Sequence, residues 1–375
     1  MGFALHFIKI FKKISLITKF NYIFAGIKQL KLMSRSLIID GNWLFKRNFK
    51  SQPALKSSTG FLCGGVVGFM FGLKTIINKI LPDRVVIAWD GFHAGKLRYD
   101  IYPPYKASRD KDWDNEDRIM RSDDTGSPED MEKIEFARQK ELTQTIMDEL
   151  FVRQVQVDYI EADDIIAQYV LKSEDDDEII YIFSRDKDFL QLISEKVFII
   201  TPDSAWTLNR EEYEKKYGHT LENELLFKCF EGDDGDGVSG INGITRNTLI
   251  KFFPNITKEK YLYTRLVEEC YEAKKDKKIG KRKIYDKIIQ SEHDLYRNAK
   301  LMNLKKPFLN QEAITRVDIA KHGRLDENRE ITSAISLFTS SGLMIHVGEE
   351  FSQDFFSPFY MLMTKEKEYS NKMKM

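Results

Sequence analysis

Ile179-Ile180-Tyr181-Ile182-Phe183-Ser184-Arg185-Asp186-Lys187-Asp188 is an apolar, largely β-branched run that stops at two carboxylates. Short runs of this kind form buried parallel strands, and in an open α/β sheet the ligand crevice lies at the strands' carboxyl ends. The pattern recurs upstream: Leu37-Ile38-Ile39 ends in Asp40, and Val85-Val86-Ile87-Ala88-Trp89 ends in Asp90. Glu161-Ala162-Asp163-Asp164 then opens an apolar stretch from Ile165 to Leu171, as the acidic first turn of a helix does. A last cluster follows in Gly232-Asp233-Asp234-Gly235-Asp236-Gly237. Each acid alone reads as a helix cap or a turn residue. Together they send carboxylates from several strand and helix ends to one edge of one sheet. Like charges that close repel strongly, so the crevice requires cations, and we read it as a site that holds metal ions.

Working outward, the spacing predicts strand 36–40, helix 61–80, strand 84–89, helix 161–171, strand 179–184, helix 187–193 and strand 196–201. That alternation gives an α/β fold with a parallel sheet covered by helices on both faces. An insertion from about 100 to 156 is too long for an ordinary connection and suits a lid or binding loop. Residues 1–32 read as an extension outside the fold, 33–210 as the core, 211–345 as a charged helical region and 346–375 as a C-terminal tail. No internal repeat is evident.

The chain has 375 residues, 42% of them apolar, enough for a large core. Lys+Arg and Asp+Glu are both 58, so no global field draws it to nucleic acid. The charges are blocked, however: residues 1–39 contain no acid, 110–132 are strongly acidic, and 274–283 form a basic run. Cys63, Cys229 and Cys270 are far apart and lack metal-ligand spacing, which argues against disulfides or zinc and for a reducing, intracellular setting. Oxygen donors favour magnesium or manganese. Lysines interrupt every apolar stretch of residues 1–32, so none makes a membrane span. Two such ions roughly 4 Å apart are the usual arrangement for cutting phosphodiesters, so phosphodiester hydrolysis is the expected reaction.

The motifs also carry a resemblance. Ile38-Ile39-Asp40-Gly41, Trp89-Asp90-Gly91, Tyr105-Lys106-Ala107-Ser108-Arg109, Glu161-Ala162-Asp163-Asp164, Ser184-Arg185-Asp186-Lys187-Asp188-Phe189 and Gly232 through Ile244 are similar, in order, to motifs of the structure-specific 5′-nucleases. These are the flap endonucleases and 5′ to 3′ exonucleases, including bacteriophage enzymes and the 5′-nuclease domain of bacterial DNA polymerase I. The resemblance implies a PIN-like nuclease core with a helical arch insertion and a helix–three-turn–helix DNA-binding region. It implies that Asp40, Asp90, Glu161, Asp163 and Asp164 hold a first metal ion or lie close behind its ligands, and that Asp186, Asp188, Asp233 and Asp236 hold a second. Lys106 and Arg109 match the basic pair at the base of the arch, expected to contact the scissile phosphate. Here the arch departs from the family in being long and acidic.

Gly240-Ile241-Asn242-Gly243-Ile244 before a helix suits close approach to a phosphate. By resemblance it is the duplex grip, with Tyr105, Gly240, Gly243 and Lys251 as DNA-binding residues and a potassium ion at the turn. Lys278, Lys281, Arg282 and Lys283 could extend it. The expected function is a magnesium- or manganese-dependent 5′-nuclease acting as a monomer on DNA with single-strand/duplex junctions, RNA-primed or not, in replication or repair. The alternatives are a PIN-like ribonuclease and a non-catalytic DNA-junction binder. Phe355, Phe356 and Phe359 read as core residues, with a sliding-clamp peptide as the minority reading; a single-strand-binding protein is a further candidate partner.

Overall fold

The three carboxylate-ended runs are neighbouring parallel strands. A computed structural model describes residues 33–107, 128–174, 176–202, 207–326, 328–348 and 352–372. Residues 1–32, Arg109 and the acidic arch segment 108–127 lie outside that description. Six strands, β1 (Ser34–Asp40), β2 (Arg84–Asp90), β3 (Arg153–Val157), β4 (Glu178–Phe183), β5 (Val197–Ile200) and β6 (Thr207–Leu208), form one sheet in the order β3-β2-β1-β4-β5-β6. All pair in parallel except β6, which runs antiparallel to β5. The order reverses between β1 and β4, and a crevice opens where an open sheet changes direction.

Side chains alternate across the sheet. Leu37, Ile39, Val85 and Ile87 face one core, shared with α1 (Gly41–Ser51), α2 (Gly64–Ile80) and α4 (Pro128–Glu149). Ile38, Val86, Ile180 and Ile182 face a second core, shared with α5 (Ala162–Lys172). A short α3 (Lys96–Tyr99) follows β2. Gly41 is required at the β1–α1 junction by close packing, because a Cβ there would lie 2.6 Å from Ile87 and 2.7 Å from the Trp89 ring.

Three expectations need correcting. Strand β3 lies inside the stretch read as insertion; its Arg153 is buried, because the guanidinium forms a bidentate pair with Glu366 at 2.6 and 3.0 Å. The predicted helix 187–193 is a 3-10 turn, Lys187–Leu192, opened by Asp186, whose Oδ1 accepts the Asp188 N–H at 2.8 Å. The largest difference is in the C-terminal half. Only α7 (Glu224–Glu231), α8 (Arg246–Phe252), α9 (Tyr263–Lys275), α10 (Lys283–Gln290) and α11 (Glu292–Met302) share a separate helical core, preceded by α6 (Arg210–Tyr217).

The chain then returns to the sheet. Leu304 and α12 (Gln311–His322) pack on the second face, while α13 (Ile331–Ser340) and α14 (Ser352–Lys372) pack on the first. Residues 346–375 are therefore not a loose tail in their described part. Phe355, Phe356 and Phe359 are 2%, 0% and 0% exposed, which assigns them to the core and removes them as a clamp-binding peptide. No helix among the described residues is long and apolar enough to cross a membrane. All three cysteines are free and buried.

Candidate active site

Asp40 ends β1 and caps α1, its Oδ1 accepting the Trp43 N–H at 3.0 Å. Its Oδ2 accepts the Ser184 hydroxyl from the end of β4 at 3.0 Å, so the acid spans the point where the sheet order reverses. Burial, with the Asp90 and Asp186 charges adding, pushes the Asp40 carboxyl up to about 7. Asp90 fastens β2 to its neighbours: Oδ1 accepts the Ala162 N–H at the start of α5 at 2.8 Å, and Oδ2 accepts Asn42 Nδ2 at 2.5 Å. Asp163, in the first turn of α5, is raised well above the usual range by loss of solvent and by the Asp186 and Asp40 charges. Burial also pushes Asp188 up to about 6, with Lys228 opposing and Asp186 and Asp233 adding.

These acids thus form a row: Asp40 feels Asp90 and Asp186, Asp163 feels Asp186 and Asp40, and Asp188 feels Asp186 and Asp233. The row joins β1, β2, α5, the β4 loop and the 232–236 turn. A crowd of mutually repelling oxygen donors is what a pair of hard divalent cations would relieve, so the residues present fit such ions. Among the described residues no three such side chains are already drawn around a single point. Side-chain cations balance part of the charge instead. Lys228, set among apolar residues of α7, is ion-paired with Asp188 and lies 3.1 Å from Asp233 Oδ2.

The remaining acids behave differently. Glu161 receives Arg98 Nη1 at 2.5 Å, the Tyr105 hydroxyl at 3.0 Å and the Lys106 ammonium. Burial alone would raise its carboxyl, but Lys106 and Arg98 hold it down at about 2. Asp164 is committed to structure. Arg98 binds both its oxygens at 2.6 and 2.8 Å, and Oδ1 also accepts the Phe308 N–H at 3.0 Å. It anchors Arg98, which in turn holds Glu161. Asp236 donates its N–H to Asp233 Oδ1 at 3.1 Å, while its own carboxylate faces Lys106, accepting the Tyr105 hydroxyl at 3.1 Å with Lys106 Nζ 3.7 Å away. Tyr105 is 3% exposed and spends its hydroxyl on Glu161 and Asp236, so it braces the site and offers DNA no surface.

Lys106 is 13% exposed, with its ammonium on Glu161. Its left-handed backbone, φ 52°, is held by its N–H donating to the Asp236 carbonyl at 2.7 Å. Arg98 is a residue that sequence reasoning missed. It ties α5 to the helical region, since Nε donates to the Leu301 carbonyl at 2.9 Å and the guanidinium stacks 4.7 Å from the Phe308 ring.

In the helical region the two glycines part company. A Cβ on Gly240 would lie 2.3 Å from the Glu231 carbonyl oxygen and 2.5 Å from that of Phe230, so close packing against the end of α7 requires glycine here. Gly243 has φ +72° and is exposed, with Lys287 Nζ 3.3 Å from where a Cβ would sit. Lys251 and Arg282 flank the Phe252 ring at 6.0 and 5.5 Å. Lys287, another residue the sequence did not single out, joins them around the turn. Lys278 and Lys281 are exposed on the loop between α9 and α10, and Lys283 is exposed at the start of α10.

Comparison with known proteins agrees with this geometry. The family model for the 5′-3′ exonuclease N-terminal resolvase-like domain matches residues 35–218. The 5′-3′ exonuclease of Aquifex aeolicus is 30% identical over 218 residues, covering 58% of this chain and 68% of that protein. DNA polymerase I of Thermus thermophilus is 29% identical over 217 residues, but the chain spans only 23% of its length. Among solved structures, T5 5′-exonuclease with bound zinc superposes with a TM-score of 0.55 at 17% identity, over 82% of this chain and 98% of that one. A bacteriophage T5 flap endonuclease in a pseudo-enzyme-product complex with DNA and metal ions gives the same score and identity, over 82% and 99%. At such identity these two speak for the fold.

Proposed function

This chain belongs to the 5′-3′ exonuclease family, and from that premise we propose that it is a metal-dependent, structure-specific nuclease that hydrolyses phosphodiesters at 5′ ends and flaps of DNA or RNA-primed DNA. The observation that carries the proposal is the row of carboxylates at the reversal between β1 and β4.

Asp40, Asp163, Asp186, Asp188 and Asp233 are the residues that would hold two magnesium or manganese ions, with Asp90 and Glu161 close behind. Such ions, when bound, lower the pKa of water and offset charge on the attacking and leaving oxygens. The chain's own groups do the rest. Lys106 stands 13% exposed at the rim and meets the scissile phosphate, stabilising charge as the bond breaks. Arg109 acts with it. Arg98 and Tyr105 fix Glu161, and Asn42 with the Ala162 N–H fixes Asp90, so the acids keep their places when the crevice fills.

Gly243, Lys251 and Lys287 hold the duplex through its phosphates without reading sequence, and a potassium ion at this turn fits the same role. The protein acts on DNA as a monomer at single-strand/duplex junctions, in replication or repair. Incubating it with magnesium and labelled flap, nicked, gapped, RNA-primed and all-RNA duplexes tests this. Cutting near junctions supports the proposal. Cutting confined to RNA would make it a ribonuclease, and binding without cutting would make it a junction-binding protein.

A further inference from the structure

Beside the carboxylate row stands an aromatic pair that the proposed chemistry does not use. Tyr159 lies two residues before Glu161, and His93 lies three residues after Asp90. Their rings are nearly parallel, 19° apart with centroids 5.9 Å apart, and Phe92 packs on His93 at 3.9 Å. The loops that carry them are clasped: the Tyr159 N–H donates to the Phe92 carbonyl at 2.7 Å, and the Phe92 N–H to Asp158 Oδ1 at 3.3 Å. Tyr159 nevertheless remains 47% exposed.

Both residues adopt the left-handed backbone, φ 54° at His93 and 69° at Tyr159. An aromatic residue is an unusual choice there, because glycine takes this conformation without a steric cost. Strained residues of this kind concentrate at ligand sites, where the surroundings hold them for a purpose. Packing supplies no purpose for Tyr159, since nearly half its surface is open. Its position, on the loop that runs into Glu161 and against the loop that leaves Asp90, does.

We propose that Tyr159, backed by His93, is a stacking platform for one nucleobase of the substrate strand next to the carboxylate row. The ligand class is a nucleobase because a flat, exposed π-face beside a phosphodiester-cutting site matches the flat faces every base presents, whatever its identity. The proposal rests on the nuclease reading and adds the residue that seats the strand.

The test is a binding measurement with the full chain and a fluorescent flap substrate, with calcium in place of magnesium. Tyr159→Ala should loosen binding roughly 5- to 150-fold, the loss expected for one stacked base, while Tyr159→Phe and Tyr159→Trp keep the wild-type affinity. Substrates with an abasic position at each nucleotide flanking the cleaved bond locate the partner: at one position the wild-type protein weakens and its advantage over Tyr159→Ala disappears. Tyr159→Gly, which suits the backbone, controls for folding and should lose affinity as the alanine variant does. Wild-type affinity in Tyr159→Ala or Tyr159→Gly, or a deficit that persists on every abasic substrate, overturns the platform. If wild-type protein fails to cut the flap in magnesium, the nuclease reading fails instead, so the two failures are distinct.

Discussion

Replacing Arg98 by methionine tests whether the buried charges behind the carboxylate row are held as described. Arg98 is 4% exposed and binds Glu161 at 2.5 Å, Asp164 at 2.6 and 2.8 Å and the Leu301 carbonyl at 2.9 Å. Methionine keeps much of the volume but strands the buried Asp164 carboxylate and leaves Glu161 to Lys106 and Tyr105. Breaking a buried pair from one side costs about 3–5 kcal/mol. Linkage bounds the Glu161 part: Glu161 is held at about 2 against an ordinary 4.5, which corresponds to about 3 kcal/mol shared between Lys106 and Arg98, so Arg98 supplies only part of it.

Because the folded value is depressed, that stability is present above about pH 4.5 and is lost as the pH falls toward 2. The difference between wild type and Arg98→Met in urea unfolding should therefore be full at pH 7 and shrink in acid. Adding Asp164→Asn to Arg98→Met removes one stranded charge and should recover part of the loss. A single variant that costs less than about 1 kcal/mol at pH 7 would refute the reasoning, as would no recovery in the double variant.

Lys106→Ala should lower the single-turnover cleavage rate by roughly 100-fold or more with little change in duplex affinity, since a cation on the reacting phosphate acts mainly in the transition state. An unchanged rate would leave Lys106 as a partner of Glu161 and nothing more. The two glycines should separate cleanly. Gly243→Val should weaken duplex binding in an anisotropy titration while the protein stays folded, whereas Gly240→Ala should lower thermal stability because its Cβ meets backbone at 2.3 Å. Lys287→Ala should reduce the salt slope of duplex binding by about one, the signature of one lost phosphate contact.

The strands that carry the acids were legible because a buried parallel strand needs an unbroken apolar run, and Leu37 to Asp40, Val85 to Asp90 and Ile179 to Phe183 supply it. β3 was hidden because its buried Arg153 reads as a surface residue until Glu366, 213 residues away, is seen to pair with it. The same distance problem concealed Arg98, whose partners include Leu301. Lys228 did leave a signal, a lone lysine among Leu225, Leu226, Phe227, Cys229 and Phe230, since a cation buried in an apolar segment needs acids to pair with. Nothing local distinguishes Gly240, needed for close packing, from Gly243, needed for its positive φ. The return of the chain to the sheet after Leu304 is equally non-local, and Pro358 inside α14 breaks up the helical pattern.

The central claim is that the acids at the β1–β4 reversal hold the divalent ions that cut the phosphodiester. Single-turnover cleavage of a labelled flap duplex tests it most directly, comparing wild type in magnesium, wild type in EDTA, and Asp186→Asn with Asp188→Asn in magnesium. Cutting should occur only in the first, return when excess magnesium is added to the second, and stay absent in the third although the variant still binds duplex. Undiminished cutting in EDTA, or by the double variant, would contradict it.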